Sequence, residues 1–290
     1  MMTISGRHWL GWVPDYPDFR DYTVATQEVK PLLQGTGLLG DGDRPLPAAV
    51  DLRSWCSEVE DQQNLGSCTA QAGAGLIEYF ERKAFGRHVD CSRLFLYKVA
   101  RNLLQQKGDT GATLRGTMGA LALFGVPPEE YWPYEIGRFD DEPPAFCYAF
   151  AQNYQALKYV RLDPAGQPPE ETLRQARASL AAGIPPMFGF TAYSSIAKAE
   201  TDGLIPFPGR GERIVGGHAV LAVGYDDHLA IASGQGKGTL GALLVRNSWG
   251  AGWGQQGYGW LPYDYVTKGL ARDWWTLLDS KWIDTGLFRI

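Results

Sequence analysis

The chain has 290 residues, of which 44% are hydrophobic and 20% charged, with a formal net charge of −5. That length carries one large domain or two lobes with a sizeable core, and the composition is that of an ordinary globular protein. The acidic balance and the lack of any Lys/Arg block exclude the electrostatic footprint of a nucleic-acid binder and a basic membrane-surface patch, and no apolar run is long enough to span a bilayer.

Residues 1–47 come first and differ from the rest. They carry Pro14, Pro17, Pro31, Pro45 and Pro47 and the glycine-rich stretch QGTGLLGDGD, with no helical period. An extended, tethered leader is predicted. Its start has no apolar segment of signal-peptide length, so a cytoplasmic protein is expected, with secretion by another route left open. The stretch GWVPDYPDFRDY is dense in rings and aspartates and is expected to dock on the chain's own surface near a cleft. QGTGLLGDGDRP has the glycines of a flexible connection.

From Val50 the chain reads as compact. SCTAQAGAGLIEYFERKAFG is a predicted helix: Leu76, Ile77, Phe80 and Ala84 recur at helical spacing, with Glu78, Glu81, Arg82 and Lys83 as the wet face, Ser67 as cap and Gly86 as stop. SRLFLYKVARNLLQQKG, capped by Ser92, is a second helix, TLRGTMGALALFGV a third, and EETLRQARASLAAG a fourth, with acids in its first turn and Gly183 at its end. The last third changes character. HAVLAVGYDD, GALLVRNSW and GYGWLPYDYV are rich in β-branched and aromatic residues, bounded by glycines, and read as antiparallel strands. Helices followed by strands make an α+β pattern with a cleft between the halves.

Four cysteines, Cys56, Cys68, Cys91 and Cys147, form no C-x-x-C pair. His88, Asp90 and Cys91 are near one another without a fourth ligand, so neither a metal nor a cofactor is expected. Cys68 stands at the mouth of the first helix, where exposed N–H groups and the helix dipole favour a thiolate; the alternative is a small buried side chain. Of four histidines, His218 alone opens an apolar strand, behind two glycines that let another backbone come close. Asn247 ends the next strand, where its amide oxygen would orient an imidazole, and Trp249 would shield that bond. The competing reading of NSWG is a hairpin turn in which Asn and Gly tolerate unusual dihedrals.

These blocks, in this order, resemble the papain-like (cathepsin-like) cysteine peptidases. DLRSW resembles the start of the mature enzymes, DQQNLGSCTA the block with the oxyanion glutamine and nucleophile, GGHAVLAVGY the histidine block and RNSWGAGWGQQGYG the asparagine block. WPY at 132–134 resembles a tyrosine-proline-tyrosine segment of the family. The resemblance covers roughly residues 48–285. It implies a two-lobed α+β fold, with a peptidase domain over 48–290 behind the leader at 1–47, split into a helical lobe at about 48–145 and a β-rich lobe at about 146–290. It also implies that Cys68 is the nucleophile, His218 the base, Asn247 its orienting group, and Gln62 with the Cys68 N–H the oxyanion hole, the thiol lying well below its ordinary pKa beside an imidazolium. Gly66, Gly111, Gly217, Ala219 and Trp249 would line the substrate site, and Arg272 or Asp273 the floor of a pocket. The expected reaction is hydrolysis of a peptide or protein through an acyl-enzyme; acyl transfer or mere peptide binding are the alternatives on the same fold.

The chain departs from the family in several places. Thr69 follows the nucleophile where a tryptophan is usual, and Leu65 stands where a disulfide cysteine is usual. Residues 1–47 are too short and too proline-rich to be read as the family's helical pro-domain, and the spacing 247 − 218 = 29 is longer than usual. These features resemble a bacterial branch.

Overall fold

A computed structural model of the chain describes residues 3–4, 8–34, 45–232 and 238–282. The flexible connection expected from QGTGLLGDGDRP falls almost wholly outside these residues. The leader contains a two-residue hairpin, β1 (Thr3–Ile4) with β2 (His8–Trp9), and a short helix, α1 (Lys30–Gln34). The helix is a correction to the reading of a leader without helical structure. It forms because Val29 and Leu33, four apart, both reach the core at 1% and 0% exposure.

After β3 (Ala49–Asp51) come α2 (Cys68–Phe85), α3 (Arg93–Leu103), α4 (Leu114–Leu123) and α5 (Ala145–Ala151). Then follow β4 (Tyr154–Arg161), α6 (Pro169–Ala181), β5 (Met187–Tyr193), β6 (Ile214–Ile231), β7 (Thr239–Arg246), β8 (Tyr258–Pro262), α7 (Tyr263–Thr267) and β9 (Ala271–Trp282). The strands build one antiparallel sheet in the order β4-β9-β5-β6-β7-β8, with β3 also pairing on β6. This is the two-lobed α+β papain-like fold: α2, α3 and α4 pack one core, and the sheet with α6 and α7 encloses the other.

Helix α2 is the central element, with 13 of its 18 residues buried. Its small residues give close packing. A methyl group on Gly73 would lie 2.8 Å from Thr117 Cγ2, and one on Gly75 would lie 2.4 Å from the Arg246 guanidinium. The helix ends as predicted at Gly86, whose φ of +71° suits a residue without Cβ. Two expectations fail here. The wet face is not wet at Glu78 and Glu81, buried to 5% and 4%; Ser57 Oγ and the Cys91 N–H donate to the two oxygens of Glu78, and the Val89 N–H donates to one oxygen of Glu81. Ala84, assigned to the apolar face, is exposed.

Ser92 and Thr113 cap α3 and α4 by accepting from the N–H groups of Phe95 and Gly116. α3 stops before QQKG because Gln105 takes φ +56° and turns the chain. The strand expected over GYGWLPYDYV breaks at Pro262. Its fixed φ of −53° starts α7, and Asp264 sits in the first turn.

Candidate active site

Cys68 is the first residue of α2 and fully buried. The preceding Ser67 stands at the cap position, but its hydroxyl does not cap; it bonds Tyr134 Oη at 2.6 Å, and Tyr134 Oη donates to the Gln62 carbonyl at 3.0 Å. The WPY segment thus holds the turn that presents the cysteine. Burial pushes the Cys68 thiol up to about 11, against the opposing pull of the backbone amides of Ala219, Gly11, Thr69 and Cys68 itself. Burial in this closed form thus opposes the lowering that the family resemblance implied. The Ala219 amide brings the residue next to His218 onto Cys68.

His218 lies in β6 and is fully buried. Its Nε2 is 2.8 Å from Asn247 Oδ1. That oxygen also accepts the Ser248 N–H at 2.8 Å, which fixes it as the oxygen of the amide and makes Nε2 the protonated nitrogen. The indole of Trp249 stacks on the imidazole with centroids 4.6 Å apart and planes 22° apart, and Phe190 meets it edge-on at 5.7 Å. With Trp249 itself 4% exposed, the bond between His218 and Asn247 is kept from solvent.

Gln62 is fully buried and oriented at both ends. Ser248 Oγ donates to its Oε1 at 2.6 Å, and its Nε2 donates to the carbonyls of Leu65 at 2.8 Å and Trp9 at 3.0 Å. Backbone bonds tie the Gln62 stretch to the asparagine stretch: the Gln62 N–H donates to the Ser248 carbonyl, and that of Gly250 to Glu60. Residues almost two hundred positions apart are thereby fixed as one unit.

The leader runs through the cleft between the lobes. The Ala112 N–H donates to the Gly11 carbonyl at 2.9 Å, the Val13 N–H to the Ala112 carbonyl at 3.0 Å, and the Trp12 N–H to the Gly217 carbonyl at 3.0 Å. One extended stretch is thus bonded to both lobes. Gly11 is the pinch point, where a methyl group would lie 1.8 Å from the Gly66 carbonyl oxygen. Gly111, at φ +75°, likewise admits the Gly11 carbonyl. Gly217 does let another backbone come close, that of Trp12, whereas Gly216 makes room for the Leu10 side chain. Further on, Arg115 binds Asp15 at 2.8 Å and also binds Asp21, and the Arg161 N–H donates to the Tyr22 carbonyl. The leader's tryptophan and aspartates dock as expected; Tyr16 and Phe19 do not, and are 82% and 96% exposed.

The structure therefore brings Cys68, Gln62, Gly66, Gly111, Gly217, Ala219, His218, Asn247 and Trp249 to one cleft. Of the two pocket-floor candidates, Arg272 is exposed while Asp273 is fully buried and accepts from Trp12 Nε1 at 3.1 Å. His88 pairs with Asp90 at 3.0 Å away from the cleft, and the described residues contain no group of three His, Cys, Asp or Glu able to hold a metal ion. Sequence reasoning missed Ser248, and it missed the pair that fixes the Gly111 strip: Tyr97 Oη donates to Asp109 at 2.5 Å and accepts the Gly111 N–H at 3.0 Å, while Asp109 accepts the Gly66 N–H. It also passed over Trp9 and Leu10, which precede the stretch expected to dock. The signal was present, since WLGW is the one strongly apolar stretch of the leader's first thirty residues.

The family description "Papain family cysteine protease" matches residues 46–273. A peptidase C1-like protein of Acanthamoeba polyphaga mimivirus is 30% identical over 287 residues, covering 92% of this chain and 86% of the relative. Cathepsin K of Gallus gallus is 27% identical over 235 residues, covering 79% and 63%. Among solved structures, xylellain, a cysteine protease from Xylella fastidiosa, superposes with a TM-score of 0.73 at 32% identity, covering 94% of this chain and 96% of that one.

Proposed function

The chain belongs to the papain family of cysteine proteases and is a thiol-dependent peptide hydrolase; from that premise we propose that Cys68, His218, Asn247 and Gln62 carry the reaction and that residues 9–13 plug the site until they are displaced. Cys68 Sγ attacks the scissile carbonyl carbon. Its proton passes to His218 Nδ1, because Nε2 is already protonated and committed to Asn247. The oxyanion takes hydrogen bonds from Gln62 Nε2 and the Cys68 N–H. As the tetrahedral carbon collapses, His218 returns the proton to the leaving amine and a thioester remains. Water, deprotonated by His218, then attacks the thioester, and the carboxylic acid leaves with the thiol restored.

The observation that carries this reading is the plug itself. Gln62 Nε2 already holds a peptide carbonyl, that of Trp9, while an adjoining peptide amide, that of Gly11, lies on the Cys68 sulfur. The cleft is thus complementary to an extended backbone at the groups the reaction needs. What the plug offers the sulfur is an N–H donor, not an electrophilic carbon, so it occupies without reacting. The test is alkylation with an epoxide directed at catalytic thiols, followed by mass mapping, on the parent and on Cys68→Ala. One equivalent on Cys68, with label and peptidase activity both lost in the variant, supports the assignment. Label on Cys56, Cys91 or Cys147 with activity lost to it overturns it.

A further inference from the structure

Trp12 does more than cover the cleft: it fills a slot that this chain builds for a flat ring. Its indole lies on Gly189 of β5, where a Cβ would fall 2.0 Å from an indole carbon, and against Gly217 of β6, where a Cβ would fall 2.9 Å from another. A side chain at either position would close the slot. At its end stands Asp273, fully buried, whose Oδ2 accepts the indole N–H. Its other oxygen accepts Trp275 Nε1 at 2.7 Å and pairs with the Arg161 guanidinium at 3.3 Å. The position is fixed from behind. Asp273 holds a φ of +65°, and Asp163 secures that turn by accepting the N–H groups of Asp273 and Trp274 at 2.7 and 2.9 Å. A buried carboxylate with one oxygen turned into a ring-shaped slot leaves an unmet acceptor there whenever the occupant brings no donor.

The slot is the side-chain pocket whose floor the family resemblance puts at Arg272 or Asp273; we propose that, once the leader is displaced, Asp273 makes the enzyme prefer in it a ring with an N–H donor, tryptophan over phenylalanine. The inference rests on the proposed reaction and adds the class of side chain it accepts. A phenyl ring fits the glycine walls but leaves Asp273 Oδ2 buried without its bond. A guanidinium or ammonium brings donors but must enter beside Arg161, whose charge already offsets that of the carboxylate, and it gains less from the flat walls.

The experiment uses the full-length chain carrying Gly11→Ala, which expels the plug by the contact with Gly66. Short fluorogenic peptides carry Trp, Phe, Arg or Ala stepped through the three positions before the cleaved bond. At one position kcat/KM for Trp should exceed that for Phe by about tenfold, the scale of one hydrogen bond to a buried carboxylate, and Asp273→Ala should bring the ratio near unity. Gly189→Ala should lower the rates for Trp and Phe relative to Ala at that same position, which keeps the test sound should Asp273→Ala fail to fold. Equal rates for Trp and Phe, a preference for Arg, or ratios indifferent to both substitutions would overturn the proposal. Hydrolysis of no peptide at all would count against the proposed reaction instead. The slot is then read by binding, through the protection that a peptide of residues 8–17 gives Cys68 against alkylation. The peptide with the chain's own sequence should protect at about tenfold lower concentration than the same peptide carrying Trp12→Phe. Equal protection overturns the proposal.

Discussion

Gln62 Nε2 donates to the Trp9 carbonyl at 3.0 Å, so the side chain expected to stabilise an oxyanion is already holding a carbonyl of the same chain, 53 residues upstream. An intramolecular occupant has a high effective concentration, so even a weak fit keeps the cleft filled. Much of what is measurable about this protein follows from how firmly that occupant sits.

Gly11→Ala is the sharpest way to unseat it. The added methyl group would lie 1.8 Å from a backbone oxygen of Gly66, which no side-chain movement relieves. The initial rate on a small peptide should rise at least about tenfold, which needs only about 1.4 kcal/mol of lost plug stability. An unchanged rate with an unchanged melting temperature would show that the plug does not limit access.

The leader divides into two parts with different consequences. Residues 9–13 plug the cleft and bury Leu10 and Trp12 in doing so, whereas Val29 and Leu33 are core side chains of the β-rich lobe that touch none of the catalytic groups described above. A chain beginning at Asp18 should be more active and less stable than the parent, by the burial of Leu10 and Trp12. A chain beginning at Leu46 should be several kcal/mol less stable still in denaturant unfolding, since each buried aliphatic side chain contributes roughly 1.5–3 kcal/mol. Equal stability of the two would contradict the division.

The catalytic side chains should rank by what each does. His218→Ala removes the base and should cost at least about 10²–10⁴-fold in kcat. Asn247→Ala leaves the base misoriented and should cost less. Gln62→Ala removes one oxyanion donor and should cost about 2.7–4 kcal/mol at the transition state. Steady-state kinetics on the Gly11→Ala background checks the order, and a total loss in Asn247→Ala equal to that in His218→Ala would mean that Asn247 does more than orient.

How much of this was legible beforehand follows from the range of the interactions. The Cys68, His218 and Asn247 blocks each carry their signal within about ten residues, and the helix ends at Ser92, Thr113 and Gly86 are set by local capping chemistry. The burial of Glu78 and Glu81 was not legible, because helical spacing marks them as wet and only the partners Ser57, Val89 and Cys91 make them dry. Nor was the seat of Trp12, which depends on Gly189, Gly217 and Asp273 converging from three strands. The break at Pro262 was readable in principle; the aromatic content of YDYV outweighed it.

Glu81 gives the structure a pH dependence of its own. Burial raises its pKa from 4.5 to about 8, and the neighbouring Glu78 adds to the rise against the pull of the Val89 N–H. A folded-state pKa above the unfolded value means that the folded form binds the extra proton, so stability is greatest below pH 4.5 as far as this group is concerned and is lost as pH climbs to about 8. Asp273, raised by burial from 3.8 to about 6, adds to the lower part of the same slope. Glu81→Gln keeps the acceptor for Val89 and removes the titration. It should gain on the order of 2–4 kcal/mol over the parent at pH 8.5 and little at pH 5, as read by denaturant unfolding at both. A parent no less stable at pH 8.5 than the variant would refute this.

The central claim is that Cys68 is the nucleophile and that the leader holds it dry and protonated. The rate of Cys68 alkylation by iodoacetamide as a function of pH, read by mass mapping in the parent and in Gly11→Ala, tests both halves together. In the parent the rate should be slow at neutral pH and climb toward a midpoint near 11, the value to which burial pushes the thiol. In Gly11→Ala the midpoint should fall by several pH units, as expected for a wetted thiol beside His218 at a helix N-terminus. Superimposable profiles for the two proteins, or alkylation that goes to Cys56, Cys91 or Cys147 instead, would contradict the account.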